Sequence, residues 1–135
     1  MPAPFKASVI TPEAIMLDTA VVSAQVPVVD GLVGILHGRA PLLARLGTGV
    51  LRLDTEGAAA GTQRYFVSGG YAQMKGEQLT ILTDEAIPAA RITPEQIAAE
   101  RAKLQAITGA DKHDMELRQK IQDRISAMTG LAAQK

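Results

Sequence analysis

A chain of 135 residues with 47% apolar side chains is long enough and greasy enough for one domain, or for one domain with a small appendage. Aromatics make up only 3% and Trp is absent, so any core must be aliphatic. Fourteen basic and fourteen acidic residues cancel, which argues against a nucleic-acid binder, since that function needs a basic surface to displace counterions.

There are no cysteines, so disulfides and thiolate metal sites are excluded. The first residues, MPAPFKASVITPEA, lack the apolar run of a signal peptide and the Arg/Ser-rich character of a transit peptide. No window approaches the roughly 18 to 20 apolar residues of a membrane span. The expectation is a soluble cytoplasmic protein, able to dock peripherally on something membrane-bound.

Up to about Leu82 the chain reads as strands. FKASVI (5–10) and AVVSAQVPVV (20–29) are rich in β-branched residues, and LVGIL, VLRL, RYFVS and LTIL follow between turn signals. Apolar and polar positions partly alternate in QRYFVS and GVLRLD, which suits strands with one buried face. Breaks are expected at Thr11-Pro12, Asp30-Gly31, Gly47-Thr48-Gly49, Glu56-Gly57, Ser68-Gly69-Gly70 and Lys75-Gly76. Many short strands at this spacing predict a sandwich or a flattened barrel. Residues 54–63, DTEGAAAGTQ, read as a mobile small-residue hairpin tip.

From Thr93 the pattern becomes helical. TPEQ supplies Thr93 as N-cap, Pro94 at the first helical position and Gln96 to complete a capping box. The helix is predicted to run through IAAERAKLQAI and to stop near Gly109, with Ile97, Leu104 and Ile107 as a narrow apolar stripe. Asp111 is expected to cap a second helix, with Leu117, Ile121, Ile125 and Met128 on one face, ending before Gly130. Each stripe is thin, so the hairpin should be marginal alone and should pack on something. Residues 1–87 hold 6 basic and 8 acidic side chains, whereas residues 88–135 hold 8 basic and 6 acidic. The hairpin is therefore the half better suited to an acidic surface.

Chemical candidates are few. GILHGRAPLL (34–43) lacks the G-x-x-x-x-G-K-[S/T] spacing of a phosphate loop, and GTGVLR (47–52) lacks the third glycine of a dinucleotide fingerprint. Turns explain these glycines, but not why His37 and Arg39 sit among apolar residues. His37 and His113 are the only histidines, so no multi-histidine metal site forms within one chain. His113 and Glu116 share a helical face, yet Asp111, Asp114 and Glu116 are more simply explained by the helix dipole. Ser68 has no nucleophile-elbow context, and Asp84 and Glu85 in a strand would point to opposite faces. No catalytic constellation, cofactor site or metal site is predicted; the chain reads as one that binds or transmits.

Four segments, in order, carry a resemblance: Gly34 to Leu43 (G-I-L-x-G-x-A-P-L-L), Gly49 to Arg52 (G-V-L-R), Ser68 to Tyr71 (S-G-G-Y) and Leu79 to Ala86 (L-T-I-L-T-D-E-A). Together they resemble the epsilon subunit of the bacterial F-type ATP synthase over essentially the whole chain. The resemblance implies a mainly β, α+β protein: a ten-stranded β-sandwich over residues 1–87, then a two-helix antiparallel hairpin over residues 88–135. It implies a non-catalytic rotor subunit on the cytoplasmic face of the bacterial inner membrane. There the sandwich would bind the gamma subunit and sit against the ring of c subunits, and the hairpin would transiently meet the alpha/beta hexamer and inhibit ATP hydrolysis. The related mitochondrial subunit would carry a transit peptide before processing, so the N-terminus favours a bacterium.

Leu32, His37, Gly38 and Arg39 would then lie near the ring. Where the family commonly reads P-G-H, this chain reads His37-Gly38-Arg39, and Leu32 stands where an acid is common. Lys112, Arg118, Lys120 and Arg124 are candidates for an acidic loop of the catalytic beta subunit, with a solvated helix face as the open alternative. Some members bind ATP through I/L-D-x-x-R-A. Here the segment is Ile92-Thr93-Pro94-Glu95-Gln96-Ile97, which lacks the Asp, the Arg and the Ala. An ATP-sensing module is accordingly the disfavoured alternative, because the cation that would hold phosphate bidentately is missing.

Overall fold

The computed structural model describes residues 3–55 and 61–133. Among the described residues seven strands run in chain order: β1 (Phe5–Ile10), β2 (Ile15–Val28), β3 (Gly31–Ile35), β4 (Leu42–Arg45), β5 (Thr48–Thr55), β6 (Gly61–Lys75) and β7 (Gln78–Pro88). A short 3-10 turn (Ala89–Arg91) leads to α1 (Pro94–Gln105) and α2 (Lys112–Ala133). The central part of the expected 54–63 hairpin tip, residues 56–60, lies outside the described residues.

The predicted class is correct: a β-sandwich followed by a helical hairpin. The strand number differs from ten for a physical reason. β2, β6 and β7 are long, and each changes neighbours along its length. The first half of β2 pairs with β1 and its second half with β5 and β3. The first half of β6 pairs with β5 and its second half with β4. β7 pairs with β1 only at its start, in parallel, while lying antiparallel to β6 throughout. Each long strand thus serves both layers. Pairing of β1 with both β2 and β7 closes the sheet on itself, leaving no open edge there.

The crossing from layer to layer is visible in which residues point inward. On β6, Tyr65 and Val67 are buried before the crossing, and Ala72 and Met74 after it. The inward face therefore changes parity at Ser68-Gly69-Gly70, where Gly69 and Gly70 have φ of +76° and +107°. This segment was expected to break the chain into two strands. Instead the glycines bend one continuous strand, because their positive φ lets it turn without losing its ladder to β7. The core between the layers is aliphatic as expected, with Val9, Val21, Leu51, Leu53, Leu79 and Ile81 fully buried.

A second, smaller cluster ties the hairpin to the outer face of the layer containing β5. Phe66, Ile92, Ile97, Met128 and Leu131 form it, with Val50 and Ile87 packed alongside. The capping box is present: Gln96 N–H donates to Thr93 Oγ1 at 3.2 Å, and Thr93 N–H donates to Gln96 Oε1 at 2.9 Å. Asp111 caps α2 by accepting from Asp114 N–H at 2.8 Å. Two helix ends differ from expectation. α1 stops at Gln105, and the turn beyond it is held by Arg118, whose Nη2 donates to the carbonyls of Ile107 (3.2 Å) and Gly109 (2.9 Å). α2 continues through Gly130 to Ala133, because Leu131 is buried and its packing outweighs the roughly 1 kcal/mol helix penalty of glycine. Leu117, predicted on the apolar face, is 39% exposed.

Candidate interaction surfaces and the Arg124 clamp

Three regions of this scaffold carry chemistry. The first is the loop between β3 and β4, which carries His37, Gly38 and Arg39. Gly38 adopts φ +85°, and Arg39 N–H donates to the Leu36 carbonyl at 3.2 Å, closing a tight turn. His37 Nε2 lies 3.0 Å from Glu77 Oε1 in the β6–β7 turn. The two loops are thereby tied at one end of the sandwich. Arg39 is exposed, and Leu36 beside it is 58% exposed. Leu32 stands apart from this tip at the start of β3, about 13 Å along the strand from Leu36 at ordinary strand rise. There it is opposite Pro27 and 62% exposed.

The second region is the outer face of the layer containing β1. One register row crosses β6, β7, β1 and β2 through Tyr71, Leu82, Ile10 and Ile15. Tyr71, Leu82 and Ile15 are each at least half exposed. The neighbouring row on the same face is polar: Gln73, Thr80, Ser8 and Asp18. An apolar row left open beside a polar one is a candidate contact surface.

The third region lies where the hairpin meets the sandwich. Arg124 on α2 donates from Nη1 and Nη2 to the two Glu85 carboxylate oxygens on β7, at 2.7 and 3.2 Å. Its Nε and Nη2 also donate to Glu100 Oε1 on α1, at 3.1 and 2.9 Å. Its guanidinium carbon lies 5.0 Å from the centre of the Phe66 ring, within cation–π range. Two edges of the guanidinium and one of its faces are used at once, as its planar fork permits. Bonds to Glu85 hold the Arg124 cation strongly, against the opposing effect of burial. Burial alone would raise the Glu100 pKa, but hydrogen bonds and charge from Arg124, with help from Lys103, leave it below the ordinary carboxylate value.

Of the four cations predicted for an acidic partner, the structure commits two internally: Arg124 to the clamp and Arg118 to the interhelical turn. Lys112 and Lys120 are exposed. Glu85 was weighed in the sequence only as half of a carboxylate pair with Asp84, and Glu100 and Phe66 were not singled out. A signal for one of them existed: Glu100 interrupts an apolar helix stripe three residues after Ile97, as Arg124 does three residues after Ile121.

Around His113 and elsewhere among the described residues, no group of three or more potential ligands is placed to hold a metal. Thr93 and Gln96, at the positions of the altered nucleotide motif, are engaged with each other in the capping box. No helix among the described residues is long and apolar enough to cross a membrane.

These features define a class: a closed β-sandwich with a clamped helical hairpin and an open apolar row on its outer face. Residues 4–89 match the family described as "ATP synthase, Delta/Epsilon chain, beta-sandwich domain". The chain belongs to this family of ATP synthase delta/epsilon chains. It is 46% identical over 80 residues to an ATP synthase epsilon chain of Rhodopirellula baltica, covering 59% of this chain and 60% of that one. It is 34% identical to an ATP synthase epsilon chain of Gluconacetobacter diazotrophicus, covering 76% and 72%. Among solved structures, a chain in the Euglena gracilis mitochondrial ATP synthase (OSCP/F1/c-ring) superposes with a TM-score of 0.81 at 20% identity, covering 96% of this chain and 82% of that one. A chain in the central stalk/c-ring of the Tetrahymena thermophila mitochondrial ATP synthase gives 0.69 at 12%, covering 93% of each. At these identities the superpositions establish the shared fold.

Proposed function

We propose that this chain is a non-catalytic rotor subunit of the central stalk of a bacterial F-type ATP synthase, held at the cytoplasmic face of the inner membrane through its partners. Family membership supports the assembly, and the exposed Tyr71–Leu82–Ile10–Ile15 row carries the docking role. Residues 1–87 form the docking half, with the apolar row as the surface for the gamma subunit. The tip of His37, Gly38 and Arg39 faces the loops of the c-subunit ring, with Leu32 on the same flank at the far end of β3. Residues 88–135 form the regulatory half, which restrains ATP hydrolysis by reaching the alpha/beta hexamer. Lys112 and Lys120 are its available cations for an acidic loop. Arg118 and Arg124 join them only after giving up their internal bonds.

Arg39 is the test of the ring contact. An Arg39→Glu change reverses the exposed charge at the tip, so ATP synthesis per proton translocated should fall severalfold in inverted membrane vesicles. Coupling equal to that of the unaltered enzyme would overturn the assignment. The nucleotide-sensing alternative finds no support in the capping box, where Thr93 and Gln96 satisfy each other. Isothermal titration of the isolated chain with ATP should show no binding tighter than about 1 mM, equivalent to about −4 kcal/mol. A micromolar dissociation constant would restore that alternative.

A further inference from the structure

β3 ends the strand order of the sheet and pairs only with β2, so its other edge is open. Which of its backbone groups face that edge follows from Pro27. Pro27 stands opposite Leu32 and has no N–H to give it. Its carbonyl accepts from Gly47 N–H at 3.1 Å, just before β5 and on the side of β2 away from β3. In an antiparallel pair, residues that exchange bonds alternate with residues that do not. Gly31, Val33 and Ile35 therefore bond to Val28, Val26 and Ala24, while Leu32 and Gly34 turn their N–H and C=O groups outward. No backbone partner meets those outward groups among the described residues.

Edge strands are ordinarily protected by charge, proline or a bulge. The sequence of β3, GLVGI, supplies neither charge nor proline, and its register with β2 is unbroken. Leu32 is 62% exposed. The space around Gly34 is empty, since a Cβ built there would meet nothing within 4 Å. Charge lies instead at the two ends of the strand, with Asp30 in the turn before it and Arg39 in the turn after it. Both are exposed, and neither side chain has an ion pair among the described residues.

We infer that β3 pairs with β3 of a second copy of this chain, antiparallel about a two-fold axis at Val33. That register sets Leu32 opposite Gly34 of the second copy, and Gly34 opposite its Leu32. Both are bonded pairs, so every outward N–H and C=O of Leu32 and Gly34 is satisfied by the other copy. Leu32 then covers the bare backbone of the facing Gly34, and the two Val33 side chains meet across the axis. Asp30 comes opposite Leu36 of the second copy, where the tight turn folds Arg39 back onto the Leu36 carbonyl. Each acidic end is thereby answered by a basic one. A strand of unrelated sequence would use the same backbone groups without answering Asp30 and Arg39 together. The pairing covers Leu32 and Arg39, so on the proposed ring contact it belongs to the free chain, and the copies separate before either docks there.

The test uses the full-length chain alone, so its outcome does not depend on the rotor assignment. Sedimentation equilibrium should show a mass that rises with concentration from 14.2 kDa toward twice that value. The chain has no cysteine, so an introduced one reports the register. Val33→Cys should form a disulfide-linked dimer under mild oxidation at least about 10-fold faster than Leu36→Cys, which is exposed but about 20 Å from its counterpart in this arrangement. Gly34→Pro removes an outward N–H that β2 does not use, and should weaken dimerisation about 10-fold. Charge reversal keeps the test independent of any effect of proline on folding. Asp30→Arg and Arg39→Asp should each weaken dimerisation about 5-fold, and the two together should restore it. A mass that stays at 14.2 kDa overturns the inference, as does Val33→Cys cross-linking no faster than Leu36→Cys. A dimer abolished by Tyr71→Asp and untouched by Asp30→Arg also overturns it, since the contact then lies on the apolar row.

Discussion

Replacing Arg124 with Ala should release the hairpin while leaving the sandwich folded. The expected result is hydrogen exchange in α2, around Ile121 to Leu131, accelerated about 100-fold, with amides of β5 and β7 unchanged. The magnitude follows from what the substitution leaves behind. Glu100 is buried, and its side chain is 7% exposed, so its carboxylate loses its main counter-charge. Removing one partner of a buried ion pair costs about 3 kcal/mol, more than the pair itself contributes, and each 1.4 kcal/mol is a factor of ten. The hairpin has little else to hold it, because its apolar footing is one small cluster centred on Phe66. A double change, Arg124→Met with Glu100→Gln, should recover much of the protection, since the buried charge of Glu100 goes with its partner and the Glu85 carboxylate left behind, 36% exposed, keeps access to water. If Arg124→Ala exchanges at the rate of the unaltered chain, the clamp does not hold the hairpin. On the proposed regulatory role, the released hairpin should also inhibit ATP hydrolysis more strongly in the reconstituted enzyme.

The clamp has a defined pH dependence. The Glu100 pKa lies below its ordinary value of 4.5 in the folded chain. A depressed carboxylate contributes stability that is fully present above the unfolded value and lost as pH falls through the folded one. Hairpin protection should therefore be flat across neutral pH and decline only in acid, below the ordinary carboxylate range. The clamp is thus a constitutive fastening near neutrality, and whatever moves the hairpin there must compete for Arg124 or for the face beneath it.

What the sequence made legible was local. Alternation around Leu51 and Leu53, the Thr93–Gln96 box and the Asp111 cap are encoded within a few residues, and each forms where expected. Family-specific segments in order carried the fold class. Contacts between distant residues were not legible: Glu85 and Arg124 are 39 positions apart, and no periodicity announces them. Ser68-Gly69-Gly70 was read as a break because glycine pairs usually end strands, and only the β7 partner makes it a bend. The helix end at Gly130 was misplaced for a similar reason: local propensity argued for a stop, and burial of Leu131 against the sandwich decided otherwise. The candidate cations were selected by sign and spacing alone, which cannot separate Lys120, exposed, from Arg124, spent in the clamp.

That bend is also the most sensitive point in the sandwich. A Cβ on Gly70 would be driven into the Leu82 carbonyl and would lie 2.7 Å from Thr83 Cα, both backbone atoms of β7. Its φ of +107° is a second obstacle, since L side chains avoid that region. Gly69 differs: a Cβ there meets the Asp84 side chain at 2.6 Å, a group able to swing aside. Relieving the Gly70 contact requires β6 and β7 to part at the point where both cross between layers, with Thr83 Oγ1 to Gly69 carbonyl at 2.8 Å among the bonds disturbed. Gly70→Ala should therefore cost at least about 3 kcal/mol, in the range of severe backbone and packing defects, which for a domain of this size lowers the thermal midpoint by about 10 °C. Gly69→Ala should cost about 1–2 kcal/mol, the ordinary penalty of a left-handed residue. Equal midpoints for the two variants in a calorimetric scan would show that the crossing can open without loss, and that the inward face of β6 changes sides by some means other than this tight glycine contact.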